Sequence, residues 1–352
     1  MILRLAAGTP LEVVQELRAL LEERGVRVVQ SPEDRRPILA AIGTLDDQTR
    51  AHLAGHPAIE ERIEPRKGLA LVERAFREQP SVVSIGDGGG PSVRMGGGEV
   101  CVIAGPCSVE SRASVREIAA RVKESGAHIL RGGAFKPRTS PHAFQGLGVE
   151  GLRQLKRAGA DVGLPVISEI MDAADVPAFQ GEGIDCLQIG ARNMQNFTLL
   201  KAVARTALPV VLKRGLAATV DEWLSAAEYL AGGCPVILCE RGIRTFEHAT
   251  RNTLDLTVLP LLREWTHLPI LVDPAHAAGI ARIIPPLARA AIAAGADGVA
   301  VEVHPRPAEA LSDGPQALLP AELTRLVADA RVMAAVTNRS LHPAPDAHAP
   351  GA

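Results

Sequence analysis

Residues 99–136 read EVCVIAGPCSVESRASVREIAARVKESGAHILRGGAFK. A β-branched run, Val102-Ile103-Ala104, leads into a Gly-Pro-Cys loop. The apolar spacing that follows predicts a helix over 111–125, and Gly126 stops it as a C-terminal cap should. A second apolar run, His128-Ile129-Leu130, comes next and ends in Arg131. This is one strand–helix unit, with polar residues waiting where each strand stops.

The unit recurs with a period of about 30 residues. Further strand cores are Pro165-Val166-Ile167, Cys186-Leu187-Gln188-Ile189, Val210-Val211-Leu212, Val236-Ile237-Leu238, Ile270-Leu271-Val272 and Val299-Ala300-Val301. Helices are legible over 219–231 and 280–294, with Gly232 and Gly295 as stops. Eight such units predict an α/β fold, a (β/α)8 TIM barrel over 99–335. Cys107, Arg131, Lys136, Glu169, Arg192, Lys213, Arg241, His276 and Glu302 are expected just past the strand ends. A barrel gathers such residues at one mouth, although they are scattered along the chain.

Residues 1–90 follow another pattern. Ile2-Leu3-Arg4-Leu5 alternates as a strand does, and a helix is predicted over 11–24, with Pro10 at its first turn and Gly25 at its end. Strands over 26–29 and 37–43, a helix over 45–53 and a strand over 59–63 complete the order βαββαβ. That order describes a small ferredoxin-like α+β domain. Glycines at 86, 88–90 and 96–98 then mark a flexible connector, with 91–98 as the linker. The tail over 336–352, rich in Pro, Ala and His, is expected to be disordered.

The 352 residues leave room for one barrel of roughly 250 residues and one small extra domain. Hydrophobic residues make up 47% and aromatics only 3%, which points to an aliphatic core. With 38 basic and 40 acidic residues the net charge is −2, which argues against a nucleic-acid surface. No apolar run approaches the ~20 residues that span a bilayer, and the N-terminus does not read as a signal peptide. Five cysteines, an odd number, fit reduced thiols in a cytoplasmic protein better than a disulfide framework.

Two constellations carry chemistry. Cys107, His276, Glu302 and Asp313 all fall in or beside mouth loops. A thiolate, an imidazole and two carboxylates make a mixed donor set, suited to one divalent ion among Mn2+, Zn2+, Fe2+ and Co2+. Arg131, Lys136, Arg138, Arg192, Lys213, Arg214, Arg241 and Arg244 form a basic rim, with Thr139 and Ser140 among them and Glu169 as the acid within reach. Neighbouring cations ~6 Å apart repel by about 3 kcal/mol at an effective dielectric near 20, so such a rim calls for a polyanionic ligand. A Lewis-acid site beside a polyanion pocket is equipment for joining a phosphorylated aldehyde to an anionic enol.

The strings AGPCSVES, LRGGAFKPRTSPHAFQGLG, QIGARNMQNF, LKRG, ILCERGIRTFEHATRNTLD, LPILVDPAHAAG and VEVHPRPAEALSDGPQ cover nearly the whole barrel. In this order the chain resembles the 3-deoxy-D-arabino-heptulosonate 7-phosphate (DAHP) synthases of the type I beta branch. Residues 1–90 resemble the ACT-like regulatory extension of one subgroup. The resemblance implies condensation of phosphoenolpyruvate with erythrose 4-phosphate and water, the first step of the shikimate pathway. It implies metal ligation by Cys107, His276, Glu302 and Asp313. It also implies that Arg131, Lys136 and Lys213 hold the phosphoenolpyruvate carboxylate, that Arg192 and Arg241 hold its phosphate, and that Glu169 orients this part of the pocket. Arg138 and Thr139 would take erythrose 4-phosphate. Lys136, Cys107 and His276 are then the residues nearest the chemistry.

A tyrosine or phenylalanine effector on residues 1–90, and a homotetramer or homodimer, are further expectations. Two other enzymes stay in play. One is 3-deoxy-D-manno-octulosonate 8-phosphate synthase, which uses arabinose 5-phosphate. That family reads KANRSS where this chain has Lys136-Pro137-Arg138-Thr139-Ser140. The other is a Schiff-base aldolase working through Lys213.

Overall fold

The computed structural model describes residues 1–32, 36–86, 90–136, 140 and 142–343. Contacts divide the chain into two units. The first is Met1–Ser81 with Arg263–His267, and the second is Val82–Leu262 with Leu268 onward.

The first unit opens with β1 (Ile2–Leu5), α1 (Leu11–Glu22), β2 (Arg27–Gln30), β3 (Ile38–Ile42), α2 (Asp47–Gly55) and β4 (Ile59–Ile63). The predicted βαββαβ order is present, and the strands pair antiparallel in the order β2-β3-β1-β4. In α1 the residues at helical spacing, Val14, Leu17 and Leu21, are the buried ones. They pack with Leu3 and Leu5 of β1, Leu39 of β3 and Leu53 of α2. Asp46 caps α2 by accepting from the Thr49 amide at 2.6 Å.

The second unit begins with an antiparallel hairpin, β5 (Val83–Ile85) and β6 (Val93–Met95). This corrects the reading of 91–98 as a linker, since part of it is paired strand. Gly88 and Gly89 lie outside the described residues. Strand and helix then alternate: β7 (Glu99–Gly105), α3 (Arg112–Glu124), β8 (Ile129–Arg131), α4 (Val149–Val162), β9 (Val166–Ile170), α5 (Val176–Gly181). There follow β10 (Cys186–Ile189), α6 (Phe197–Ala204), β11 (Val210–Lys213), α7 (Val220–Ala231), β12 (Val236–Glu240), α8 (Val258–Trp265), β13 (Ile270–Val272) and α9 (Pro274–Ala278). The series ends with α10 (Ile284–Ala293), β14 (Gly298–Glu302), α11 (Pro320–Val336) and β15 (Ser340–Leu341).

Strands β7 to β14 are parallel, each paired with the next, and β14 pairs back to β7 over Gly298–Glu302. The barrel is therefore closed and has no free edge. Local sequence explains its helix starts. Ser111 caps α3 by accepting from the Ser114 amide, and Thr219 with Glu222 forms a reciprocal capping box at α7. Gly126 and Gly295 end their helices at positive φ, whereas Gly232 keeps a right-handed φ of −81°.

Inside the barrel, Cys101, Ile103, Ile129, Ile167, Cys186, Val211, Ile237, Cys239, Leu271 and Ala300 form one buried cluster. Val83, Ile85, Val93 and Met95 of the hairpin belong to the same cluster. Each of these apolar side chains contributes about 1.5–3 kcal/mol by leaving water. The hairpin is thus part of the barrel core.

The tail differs from its expected disorder at its start. Residue 336 ends α11, and β15 adds to β7 in parallel through Ser340 and Leu341. The Arg339 guanidinium donates to the Ala296 and Ile292 carbonyls, satisfying acceptors at the end of α10. Residues 344–352 lie outside the described residues.

Candidate active site

The expected residues do gather at the C-terminal ends of the barrel strands, with one adjustment. Arg131, Lys213 and Glu302 are the last residues of β8, β11 and β14, and Glu169 is the penultimate residue of β9. They sit within the strands, so their side chains are held by the sheet.

Loop geometry brings Cys107 in. Gly105 ends β7 at φ +153°, where an added Cβ would lie 2.1 Å from the Arg131 carbonyl oxygen. Only glycine lets the chain turn there against β8. The loops after β7 and β8 then run together, with the Gly133 amide donating to Cys107 O at 3.2 Å and the Val109 amide to Gly133 O at 2.9 Å. Lys136 is thereby set against Cys107, its Nζ 3.1 Å from Sγ.

His276 comes from α9, a short helix with Pro274 at its start and Gly279 in left-handed geometry at its end. Asp273 caps it, accepting from the His276 amide at 2.9 Å. The same carboxylate accepts from His276 Nδ1 at 2.7 Å, which turns Nε2 toward Glu302 Oε1 at 3.4 Å. Asp313 sits at φ +48°, just ahead of a 3-10 turn at Gly314–Gln316. Its neighbour Ser312 is tied to Ser108 by an Oγ–Oγ bond of 2.6 Å. Asp313 Oδ2 accepts from Cys107 Sγ at 3.1 Å.

Among the described residues, ligand atoms of Cys107, Glu302 and Asp313 lie within 4.8 Å of one another, and His276 Nε2 borders them through Glu302. An ion with bonds of ~2.0–2.3 Å holds its ligand atoms roughly 3–4 Å apart, so Cys107, Glu302 and Asp313 make a triad that fits a divalent cation, with the His276 imidazole beside it. The arrangement of Asp273 behind His276 is the one that orients a metal-bound imidazole. Burial, together with the Glu302 charge, pushes the Cys107 thiol up to about 12. Burial lowers the pKa of His276, against the pull of Asp273 and Glu302. At Glu302 burial works the other way, but His276, Arg131 and Lys136 outweigh it and hold the carboxyl down at about 2.

Beside this donor set opens a cavity of about 510 Å³. Lys136, Arg192, Lys213, Arg241, Arg244 and Arg251 line it, with Glu169, Asp313, His276, Ser140 and Asn252. Six cations against two carboxylates leave a strong positive excess for an anionic ligand. Arg241 is pre-positioned, donating to the carbonyls of His276 at 3.1 Å and Gly242 at 3.3 Å. Burial lowers its pKa, against the pull of Asp273. Burial would lower Lys136 too, but Cys107, Glu169 and Glu302 outweigh it and raise its pKa.

Lys136, Glu169, Arg192, Lys213, Arg241, His276 and Asp313 therefore face one cavity, as expected. Cys107, Arg131 and Glu302 stand behind it, with Arg131 donating to Glu302 Oε1 at 2.9 Å. Arg214 turns away from a ligand role and pairs with Glu240 at 3.0 Å and Asp255 at 2.9 Å. Arg138 and Thr139 lie outside the described residues. Four residues escaped sequence reasoning. Asp273 binds both Lys213 and His276, Gln316 donates to Glu302 Oε2 at 2.6 Å, Arg251 contacts Asp313 and Gln316, and Asn252 donates to His276 O. Only Asp273 carried a readable signal, as the helix-capping acid three residues before His276.

Comparison with known proteins agrees with this architecture. Over 320 residues the chain is 44% identical to the phospho-2-dehydro-3-deoxyheptonate aldolase of Thermotoga maritima, spanning 90% of this chain and 93% of that protein. A crystal structure of phospho-2-dehydro-3-deoxyheptonate aldolase (DAHP synthase) from Thermotoga maritima matches with a TM-score of 0.75 at 41% identity, covering 97% of this chain and 98% of that one. A 2-dehydro-3-deoxyphosphooctonate aldolase from Nitrobacter hamburgensis is 36% identical over 248 residues, only 64% of this chain and 85% of its own length. The model of the DAHP synthetase I family matches residues 68–339, and the chain belongs to that family.

Proposed function

We propose that this member of the DAHP synthetase I family is a DAHP synthase. It condenses phosphoenolpyruvate with erythrose 4-phosphate and water, giving 3-deoxy-D-arabino-heptulosonate 7-phosphate and phosphate. The observation that carries the reading is the position of Lys136. This residue lines the cationic cavity and touches Cys107 of the donor set, so one side chain joins an anion site to a metal site. The octulosonate relatives are less similar and span less of the chain. A Schiff-base role for Lys213 is opposed by its 2.5 Å ion pair with Asp273, which an uncharged amine would not keep. Phosphate release from phosphoenolpyruvate, compared with erythrose 4-phosphate and with arabinose 5-phosphate, tests the reading. Faster turnover with the five-carbon sugar would defeat it.

In this reading Arg192 and Arg241 hold the phosphate of phosphoenolpyruvate. Lys136 and Lys213, backed by Arg131, hold its carboxylate, and Glu169 orients that end of the cavity. Arg138 and Thr139 take the phosphate of the aldehyde. Cys107, His276, Glu302 and Asp313 hold one divalent ion, among Mn2+, Zn2+, Fe2+ and Co2+. Bound there, the ion supplies a Lewis acid that polarises the aldehyde carbonyl. C3 of phosphoenolpyruvate attacks the aldehyde carbon, water adds at C2, and the hemiketal phosphate expels phosphate by C–O cleavage. Lys136 Nζ, poised at the junction of the two sites, is placed to deliver the proton that the aldehyde oxygen requires.

The sandwich of β1 to β4 within residues 1–81 then serves as an ACT-like regulatory domain that takes tyrosine or phenylalanine, in a cytoplasmic homotetramer or homodimer. The ferredoxin-like sheet joined to a complete barrel supports this. Assaying the intact enzyme with each aromatic amino acid, and light scattering for its mass, are the tests. Among the described residues no helix is long and apolar enough to cross a membrane.

A further inference from the structure

The metal side and the anion side of the mouth share one carboxylate. Asp273 is fully buried at the end of β13. Its Oδ2 accepts from Lys213 Nζ at 2.5 Å and from His276 Nδ1 at 2.7 Å, while Oδ1 accepts from the His276 amide at 2.9 Å. Lys213 and His276 both line the cavity, and His276 Nε2 lies 3.4 Å from Glu302 of the metal triad, where the reading above makes it the fourth ligand. No other carboxylate among the described residues bonds both a cavity-lining lysine and an imidazole of the donor set.

We infer that Asp273 is a positioning residue that couples the two sites, so that an anion bound at Lys213 tightens metal binding at His276. This rests on the reading of the mouth given above. The physical reason is competition for one oxygen. In the ligand-free state two donors divide Oδ2 between them. A carboxylate arriving in the cavity draws Lys213 toward itself and weakens its hold on Oδ2. Asp273 then bonds His276 Nδ1 more strongly, and a better-held imidazole is a better electron donor at Nε2. Coupling of this kind is reciprocal, so the metal must tighten the anion by the same factor.

The contrast is Gln316. It also orients a metal-side acid, donating to Glu302 Oε2 at 2.6 Å, but its other partner is Arg251. It hydrogen-bonds neither Lys213 nor His276 among the described residues, so it is not expected to link the two.

The test uses the full-length protein and reads binding rather than turnover. Co2+ affinity is followed by the thiolate charge-transfer absorption that Cys107 would give. Phosphoenolpyruvate affinity is followed by calorimetry, with and without Co2+. In the wild type, saturating phosphoenolpyruvate should tighten Co2+ by about fivefold or more, within the usual range of coupling factors. Asp273→Asn should weaken Co2+, leave phosphoenolpyruvate binding to the metal-free protein no weaker than in the wild type, and bring the coupling factor toward one. Gln316→Ala should weaken Co2+ but leave the coupling factor within about twofold of the wild type.

Unweakened Co2+ binding in Asp273→Asn, or an unchanged coupling factor, would overturn the inference. So would a Gln316→Ala protein that loses the coupling as completely as Asp273→Asn does. Should Asp273→Asn not fold, the wild-type factor alone decides, and a value within twofold of one overturns it. Phosphoenolpyruvate that does not bind the wild type at all would defeat the synthase reading as well. Binding without coupling would defeat this inference alone.

Discussion

Lys136 and Cys107 meet at the junction of the two halves of the mouth. The lysine Nζ lies 3.1 Å from the thiol sulfur and 3.2 Å from the carbonyl oxygen of the same residue. The lysine is buried, and so is the cysteine. A buried ammonium beside a sulfur favours the thiolate over the thiol, although burial and Glu302 dominate here without a metal. Cation and sulfur are packed so closely that a change in either is felt by the other.

Removing the sulfur should therefore remove the metal. Cys107→Ala is expected to lower affinity for a divalent ion by about a hundredfold or more, with activity falling in parallel. Metal content after dialysis, measured by mass spectrometry, checks this. Exhaustive chelation of the wild type should abolish phosphate release, and added Mn2+ or Co2+ should restore it. Peroxide should inactivate through the same sulfur, reversibly while oxidation stops at the sulfenic acid.

Arg241 should act on binding. Its guanidinium is fixed by two backbone carbonyls, so its orientation toward the cavity is set before a ligand arrives. Arg241→Ala is expected to lower kcat/KM for phosphoenolpyruvate by about a hundredfold, near 3 kcal/mol of lost charge-assisted hydrogen bonding. Arg241→Lys should recover little of this, because a point charge cannot reproduce a planar fork. Steady-state kinetics on the two variants gives the answer.

Gly190 should prove functional rather than structural. A Cβ there would stand 2.0 Å from Glu169 Oε1. The far end of Glu169 can swing aside, so Gly190→Ala is expected to fold, with a change in Tm of only a few degrees. The displaced carboxylate would leave its place beside Gln188 and the cationic cavity. Activity should fall by about tenfold or more. A variant of full activity would show that Glu169 does not depend on that gap.

The barrel should lose stability in acid through His128. The imidazole is buried, and its Nδ1 accepts from the Val102 amide at 2.8 Å, a bond that a protonated ring cannot make. Burial, aided by the nearby charges of His342, Arg331 and Lys123, lowers its pKa to about 4. A histidine depressed in the fold gives its full stabilisation above the unfolded value near 6.5, and that stabilisation drains away as pH falls toward 4. The loss from this one group is about 3 kcal/mol at pH 4. Chemical denaturation at a series of pH values should show the slope, and His128→Gln should flatten it.

Much of this was readable from residues alone, because the barrel repeats one strand–helix unit and most of its strands end at or beside a charged residue. Arg131, Glu169, Lys213 and Glu302 were displaced by only a residue or two, since β-propensity does not say whether a charged residue is the last of a strand or the first of a loop. The glycines around 86–98 misled. They read as slack, while Val93 and Met95 between them are core residues of a hairpin. Short apolar pairs between glycines carry almost no periodicity, so nothing local distinguished a plug from a linker. Asp273, Gln316 and Arg251 could not be read, because their importance lies in partners that are distant in sequence or unremarkable in type.

That hairpin has a consequence for traffic. With Val83, Ile85, Val93 and Met95 seated among the barrel's own interior side chains, the floor of the barrel is solid. Among the described residues, the cation-lined cavity lies at the other end of the strands, so a phosphate that leaves it passes the same Arg192, Arg241 and Arg244 that an arriving phosphoenolpyruvate meets.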